Sequence, residues 1–183
     1  MYLKKYQIRV VNELKHFFQT AKTQKTAIEA AAKVLPENMR NNLNYVQSTF
    51  DTIGKPYLDN CRNGLGQYYP RTSLKVPTGG GKTILAVEAI REYQTLFAER
   101  KTGLVVWIVP KETIYTQTVD RLRDKSHPYR QLLDQASGGK TIIKEKGQKL
   151  SIQDIEENLV VLFIMIQSIS RANNSEALKV FQD

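Results

Sequence analysis

The stretch KVPTGGGKT, Lys75 to Thr83, constrains the fold of this chain more than any other segment. It follows a short β-type run, RTSLKV, and leads into an amphipathic pattern from about Lys82 to Ala98, with Ala86, Ala89, Ile90, Tyr93 and Phe97 on the expected buried face. A strand-to-helix junction leaves backbone N–H groups without partners and turns the positive end of the helix dipole outward, so an anion belongs there. Glycine lets successive N–H groups curl into a concave nest, and Gly79, Gly80 and Gly81 can therefore approach phosphate oxygens closely. Pro77 and Thr78 lead into that cradle, Lys82 is spaced to reach β and γ phosphates, and the Thr83 hydroxyl is placed for Mg²⁺. The strict phosphate-loop pattern asks for glycine where this chain has Val76, whereas the last four residues, GGKT, fit fully.

The segments after the loop alternate in period. Gly103 opens LVVWIVP, a continuous apolar run that suits a parallel strand buried on both faces. A helix is expected from Glu112 to Arg123, with Tyr115, Thr118, Val119 and Leu122 on one side. A polar, glycine-punctuated stretch, SGGKTIIKEKGQKLS, then leads to a further apolar strand, LVVLFIMI. Strand, helix, strand, helix, strand is the order of an α/β parallel sheet with helices on its faces. Ahead of the loop, Leu3, Tyr6, Val10, Leu14 and Phe17 line one face of a helix from about Tyr2 to Phe18. From Thr20 to Pro70 the chain is polar, with an alanine-rich helical piece ended by Pro36 and a stretch broken by Gly54, Pro56, Gly64, Gly66 and Pro70. Three parts are expected: an N-terminal helix over 1–19, a helical and irregular insertion over 20–70, and an α/β nucleotide-binding domain over 71–183.

Charge narrows the partners. A formal net charge of +9 favours polyanions, although Lys4, Lys5, Lys22, Lys25, Lys140, Lys144, Lys146 and Lys149 are scattered and form no dense arm. The apolar run Leu159 to Ile166 is far shorter than the roughly 20 residues that cross a bilayer, and the N-terminus carries no secretory pattern, so a cytoplasmic location is the expectation. Cys61 is the single cysteine, and His16 and His127 lie far apart without ligand-spaced neighbours.

PTGGGKT resembles the first motif of superfamily 2 helicases and translocases, and in detail the chain is similar to the Res subunit of type III restriction enzymes. LKKYQIRVVNEL resembles the Tyr-Gln helix of that family, which implies that Tyr6 and Gln7 belong to the cofactor site, with Gln7 at the adenine edge. VVWIVPKETIYTQTVDRL resembles the next motif, which implies that Pro110, Lys111 and Gln117 lie along a DNA phosphate path. NLVVLFIMIQSISR is similar to the strand ending in Gln-Ser, which makes Gln167 and Ser168 candidate nucleic-acid contacts. The resemblance implies a RecA-like fold, ATP with Mg²⁺ as cofactors, duplex DNA as a partner, and a nuclease activity and a methyltransferase subunit in the intact assembly.

ATP hydrolysis by such machinery needs an Asp-Glu pair at the end of a further strand and an arginine from a second domain. Only Glu176 and Asp183 follow Ser168 as acids, neither behind an apolar run. The chain is therefore expected to be the N-terminal part of a first motor domain, binding ATP or ADP and hydrolysing little alone. A self-sufficient nucleotide-binding module, a small phosphoryl transferase, and a basic DNA-binding domain whose glycine loop grips backbone phosphate remain alternatives.

Overall fold

A computed structural model describes residues 2–40, 43–57 and 62–167. Its contacts divide the chain into two compact units, Tyr2–Lys82 and Thr83–Asp183.

The N-terminal unit is built on one long helix, α1 (Lys5–Val34), with α2 (Glu37–Arg40) and α3 (Tyr45–Thr52) after it. The helix expected to stop near Phe18 runs on to Val34, because polarity alone does not end a helix and the first breaker in this stretch is Pro36. Leu35, directly before that proline, is already extended at φ −82° and ψ 147°. The buried stripe of α1 is Gln7, Val11, Leu14, Phe18 and Ala21, with Phe17 beside it. It is rotated from the expected stripe, so that Tyr6 and Val10 sit at its margin and Gln7 inside it. Phe17 packs edge-on against Phe50 of α3 with ring centres 5.6 Å apart. Asn44 caps α3 by accepting from the amides of Val46 and Gln47, both at 3.1 Å, and donates to the Tyr57 hydroxyl. The run RTSLKV, expected as a strand, is extended but unladdered: among the described residues of this unit the one β pairing is the bridge between Arg62 and Tyr68. Strand propensity without a pairing partner gives exposed extended chain, and residues 71–75 are exposed.

The second unit is an α/β layer. Helix α4 (Lys82–Glu92) continues as a π-helical turn, Tyr93–Ala98, and is followed by β1 (Gly103–Val109), α5 (Glu112–Arg123), α6 (Pro128–Ser137), β2 (Thr141–Glu145), α7 (Ile152–Glu157) and β3 (Leu159–Met165). The three strands form a parallel sheet in the order β1-β3-β2, with Gly103 and Thr141 both opposite Leu159. The last strand in sequence is thus central, and Leu159 to Phe163 are completely buried. Among the described residues β1 pairs with β3 alone, and its expected burial on both faces holds only in part: Val106 and Ile108 are 44% and 50% exposed. One face of the sheet carries Val161 and Phe163, packed with Val87 of α4, Val119 and Leu122 of α5 and Leu133 of α6. Trp107 stacks on Phe163 at 5.4 Å and Tyr115 meets the same ring edge-on at 5.8 Å, arrangements that contribute about 1 kcal/mol each beyond burial.

Polar side chains fix the connections. Arg130, almost fully buried on α6, donates to the carbonyls of Leu122 at 3.2 Å and Thr141 at 2.8 Å and pairs with Asp134 at 2.9 Å, joining α5, α6 and β2. His127 caps α6, its Nδ1 accepting from the Tyr129 amide. Ser151 and Asp154 form a reciprocal cap on α7, and Lys144 of β2 pairs with Asp154 at 2.8 Å. Along the helix from Lys82 the expected face holds in part: Phe97 is buried and Ile90 packs against the core, but Ile84, Leu85, Val87, Glu88 and Glu92 are buried as well, while Tyr93 is 38% exposed. An apolarity count could not find that face, because Arg91 lets two glutamates enter it, at 2.7 Å from Glu88 and 2.6 Å from Glu92.

Candidate nucleotide-binding site

The glycine run is a tight loop tied to the start of α1. Gly79 and Gly81 hold φ of +74° and +80°, the left-handed region in which a side chain is strained. Gly80 is glycine for another reason. Its φ is ordinary, but a Cβ there would lie 2.7 Å from Val76 Cγ1 and 2.9 Å from the Pro77 carbonyl oxygen. The residue that departs from the phosphate-loop pattern thus packs against the middle glycine, and together with the Pro77 carbonyl it leaves no room for a side chain at Gly80.

The Gly80 amide donates to the Pro77 carbonyl at 3.0 Å, and Lys82 Nζ donates to the same oxygen at 3.2 Å. The Gly80 carbonyl accepts from the Tyr6 hydroxyl and from Gln7 Nε2, the latter at 3.1 Å. Gln7 is only 6% exposed; its Oε1 accepts from the Lys4 amide at 2.9 Å and its Nε2 also lies 3.3 Å from the Tyr6 hydroxyl. The buried amide therefore has a partner at each end, which explains how a glutamine occupies the apolar stripe of α1. In a planar trans peptide the C=O and the following N–H point in opposite directions. Holding the Gly80 carbonyl toward Tyr6 and Gln7 consequently aims the Gly81 N–H away from α1, an orientation suited to an anion on the outer side of the loop.

Tyr6, Gln7, Pro77, Gly80 and Lys82 are brought together in this way, and Gly79, Gly81 and Thr78 lie in the same loop. Thr83 follows on the first turn of α4 and is half-buried. The family resemblance grouped Tyr6 and Gln7 with the cofactor site but did not anticipate that the pair contacts the loop itself; the residue pattern signalled it through Gln7 standing one position away from an apolar stripe.

A second group of expected residues lies at the carboxyl ends of β1 and β3, the edge at which open parallel sheets bind their ligands. Gln167 Nε2 donates to the Pro110 carbonyl at 2.9 Å, joining the two strand ends. Pro110, Lys111, Gln117 and Gln167 are all exposed, with Lys111 at the N-cap of α5. Ser168 lies outside the described residues. Among the described residues no group of three His, Cys, Asp or Glu side chains could hold a metal ion, and no helix is long and apolar enough to cross a membrane. A nucleotide-borne Mg²⁺ fits this chemistry through Thr83, since Mg²⁺ keeps most of its shell from phosphate oxygens and water and needs few protein oxygens.

No curated protein and no solved structure matches the chain. The family described as the type III restriction enzyme, res subunit, matches it over residues 1–183. With a parallel α/β sheet, a glycine loop opening α4 and a Tyr-Gln helix tied to that loop, the chain belongs to the type III restriction enzyme res subunit family, within the helicase-like ATPases.

Proposed function

We propose that this chain is the nucleotide-binding part of a DNA-dependent ATPase of the helicase and translocase kind, taking ATP or ADP with Mg²⁺ at the Pro77–Thr83 loop. The observation that carries the reading is the pinned Gly80 carbonyl, which preorganises the loop amides before any phosphate arrives. Lys82 exchanges its bond to the Pro77 carbonyl for the β and γ phosphates, a local movement of one flexible side chain. Thr83 would supply its hydroxyl oxygen to a Mg²⁺ carried in with the nucleotide. Tyr6 and Gln7 act mainly as positioning residues for the loop; the adenine edge then approaches an amide whose two ends are already engaged.

Hydrolysis by this chain alone is expected to be slow. β1 is followed by Pro110 and Lys111 and β3 by Ile166 and Gln167, while Glu145 at the end of β2 is paired with Arg123. None of these described strand ends offers a carboxylate available to orient an attacking water. Within an intact motor, Pro110, Lys111, Gln117, Gln167 and Ser168 are proposed as contacts to DNA phosphates. A methyltransferase subunit and a nuclease activity enter the proposal on the family alone.

The test is titration of a fluorescent ADP analogue with Mg²⁺ into the chain and its Lys82→Ala variant. Saturable binding that weakens about tenfold or more in the variant, equivalent to about 1.4 kcal/mol, is the expected result. Equal binding by both proteins would remove the nucleotide reading.

A further inference from the structure

The positive charge is divided unequally between the two units. Residues 1–82 contain thirteen Lys and Arg against five Asp and Glu, whereas residues 83–183 contain fourteen against thirteen. Nearly all of the net +9 therefore resides in the unit made of α1 to α3 and the glycine loop, and not in the unit that carries Pro110, Lys111, Gln117 and Gln167.

Within the basic unit one element is shaped to present a side chain outward. Arg62 and Tyr68 form an antiparallel bridge, and the Asn63 amide donates to the Gln67 carbonyl at 2.9 Å. The Asn63 side chain closes the turn, accepting from the amides of Leu65 at 3.0 Å and Gln67 at 2.9 Å, and Gly66 supplies the left-handed residue at φ +73°. This small hairpin is fastened at its base, where the Tyr45 hydroxyl of α3 donates to the Tyr68 carbonyl at 3.1 Å. The Arg62 guanidinium lies 4.4 Å over the Tyr68 ring. At the tip stands Leu65, 82% exposed, and Tyr69, Arg71 and Lys75 follow on the exposed chain beyond. A single exposed leucine is ordinary on a mobile loop. Here the turn is closed by its own hydrogen bonds, so the backbone holds the Leu65 side chain in water, with Arg62 at the base of the same hairpin.

We infer that the Arg62–Tyr68 hairpin is a duplex-DNA contact, with Leu65 meeting the groove floor or a base step and Arg62 and Lys75 meeting flanking phosphates. The choice of DNA rests on the proposed function; the location does not. Spread single charges suit a duplex, which carries about one charge per 1.7 Å of axis, and an exposed apolar tip carried on a basic unit is the chemistry by which proteins wedge into a groove.

The test is fluorescence anisotropy of a labelled duplex of about 20 base pairs with the chain, between about 50 and 200 mM salt. The Arg62→Gln/Lys75→Gln variant should flatten the slope of log K against log salt by about two, while Leu65→Ser should weaken binding severalfold without changing that slope. A control, Lys140→Gln/Lys146→Gln in the other unit, should leave both unchanged. Wild-type binding by the hairpin variants, or a flattened slope in the control alone, overturns the inference. Fluorescent ADP binding by the same proteins separates the readings: loss of nucleotide binding in the parent chain with hairpin-dependent DNA binding intact would remove the proposed function and leave the hairpin standing.

Discussion

A methyl group added at Gly80 tests the loop architecture most sharply. In Gly80→Ala the new Cβ would sit 2.7 Å from Val76 Cγ1, 2.9 Å from the Pro77 carbonyl oxygen and 3.3 Å from Pro77 Cδ. Two of these atoms belong to a proline and cannot rotate aside. The Pro77 oxygen is further held as the acceptor of the Gly80 amide and of Lys82, while the Gly80 carbonyl is held by Tyr6 and Gln7. Relief must therefore open the loop itself, at an overpacking cost of about 1–3 kcal/mol. If that distortion falls on the phosphate-facing amides, ADP affinity drops between about fivefold and a hundredfold. Gly79→Ala meets no atom within 4 Å and suffers only its left-handed φ, a cost of about 1 kcal/mol. Val76→Ala combined with Gly80→Ala removes the shortest contact and should recover part of the loss. Fluorescent ADP titration of the three proteins orders them. Affinity in Gly80→Ala equal to wild type, or a larger loss in Gly79→Ala, would refute the reasoning.

Other consequences follow from the same contacts. Gln7→Ala removes one donor from the Gly80 carbonyl and leaves the Lys4 amide without its acceptor, so nucleotide affinity should fall by about 1 kcal/mol and Tyr6→Phe should act in the same direction, both by titration. Arg130→Met keeps an unbranched apolar stem but abandons the Leu122 and Thr141 carbonyls and the pair with Asp134, and thermal unfolding should report a loss of about 2 kcal/mol. Asp154 is held down to about 2 from 3.8, first by the hydrogen bond from Lys144 and then by the Ser151 amide. A depressed folded value means that its contribution to stability is complete above about 4 and is lost as the pH falls toward 2. Asp154→Asn should flatten the stability profile in that window, as followed by unfolding at each pH.

The α/β layer was legible where apolar runs are long. LVVLFIMI reads as a buried strand because it is the central one, and Glu112 to Arg123 reads as a helix with the face that it buries, Thr118, Val119 and Leu122. β2 was not legible: Thr141 to Glu145 hides in a polar, glycine-punctuated segment because an edge strand may carry Lys144 and Glu145 when each finds a counter-ion. Helix α6 was missed for a related reason, since its buried arginine is satisfied by carbonyls that no local pattern shows. RTSLKV failed in the opposite sense, because a strand is defined by its neighbour and not by its own residues. At the site, residue identities were legible from the loop motif, whereas the contact between Gln7 and Gly80 spans 73 positions and only folding reveals it.

The proposed phosphate cradle consists of the Gly79 to Thr83 amides, with Tyr6 and Gln7 holding the Gly80 carbonyl. Amide chemical shifts of the isotopically labelled chain, recorded while ADP and Mg²⁺ are added, test it most directly. The account predicts that the largest shifts fall on Gly79, Gly80, Gly81, Lys82 and Thr83, with a smaller response at the Gln7 side-chain amide. Saturable shifts confined to the surface of Lys111, Gln117 and Gln167, with the glycine loop silent, would contradict it.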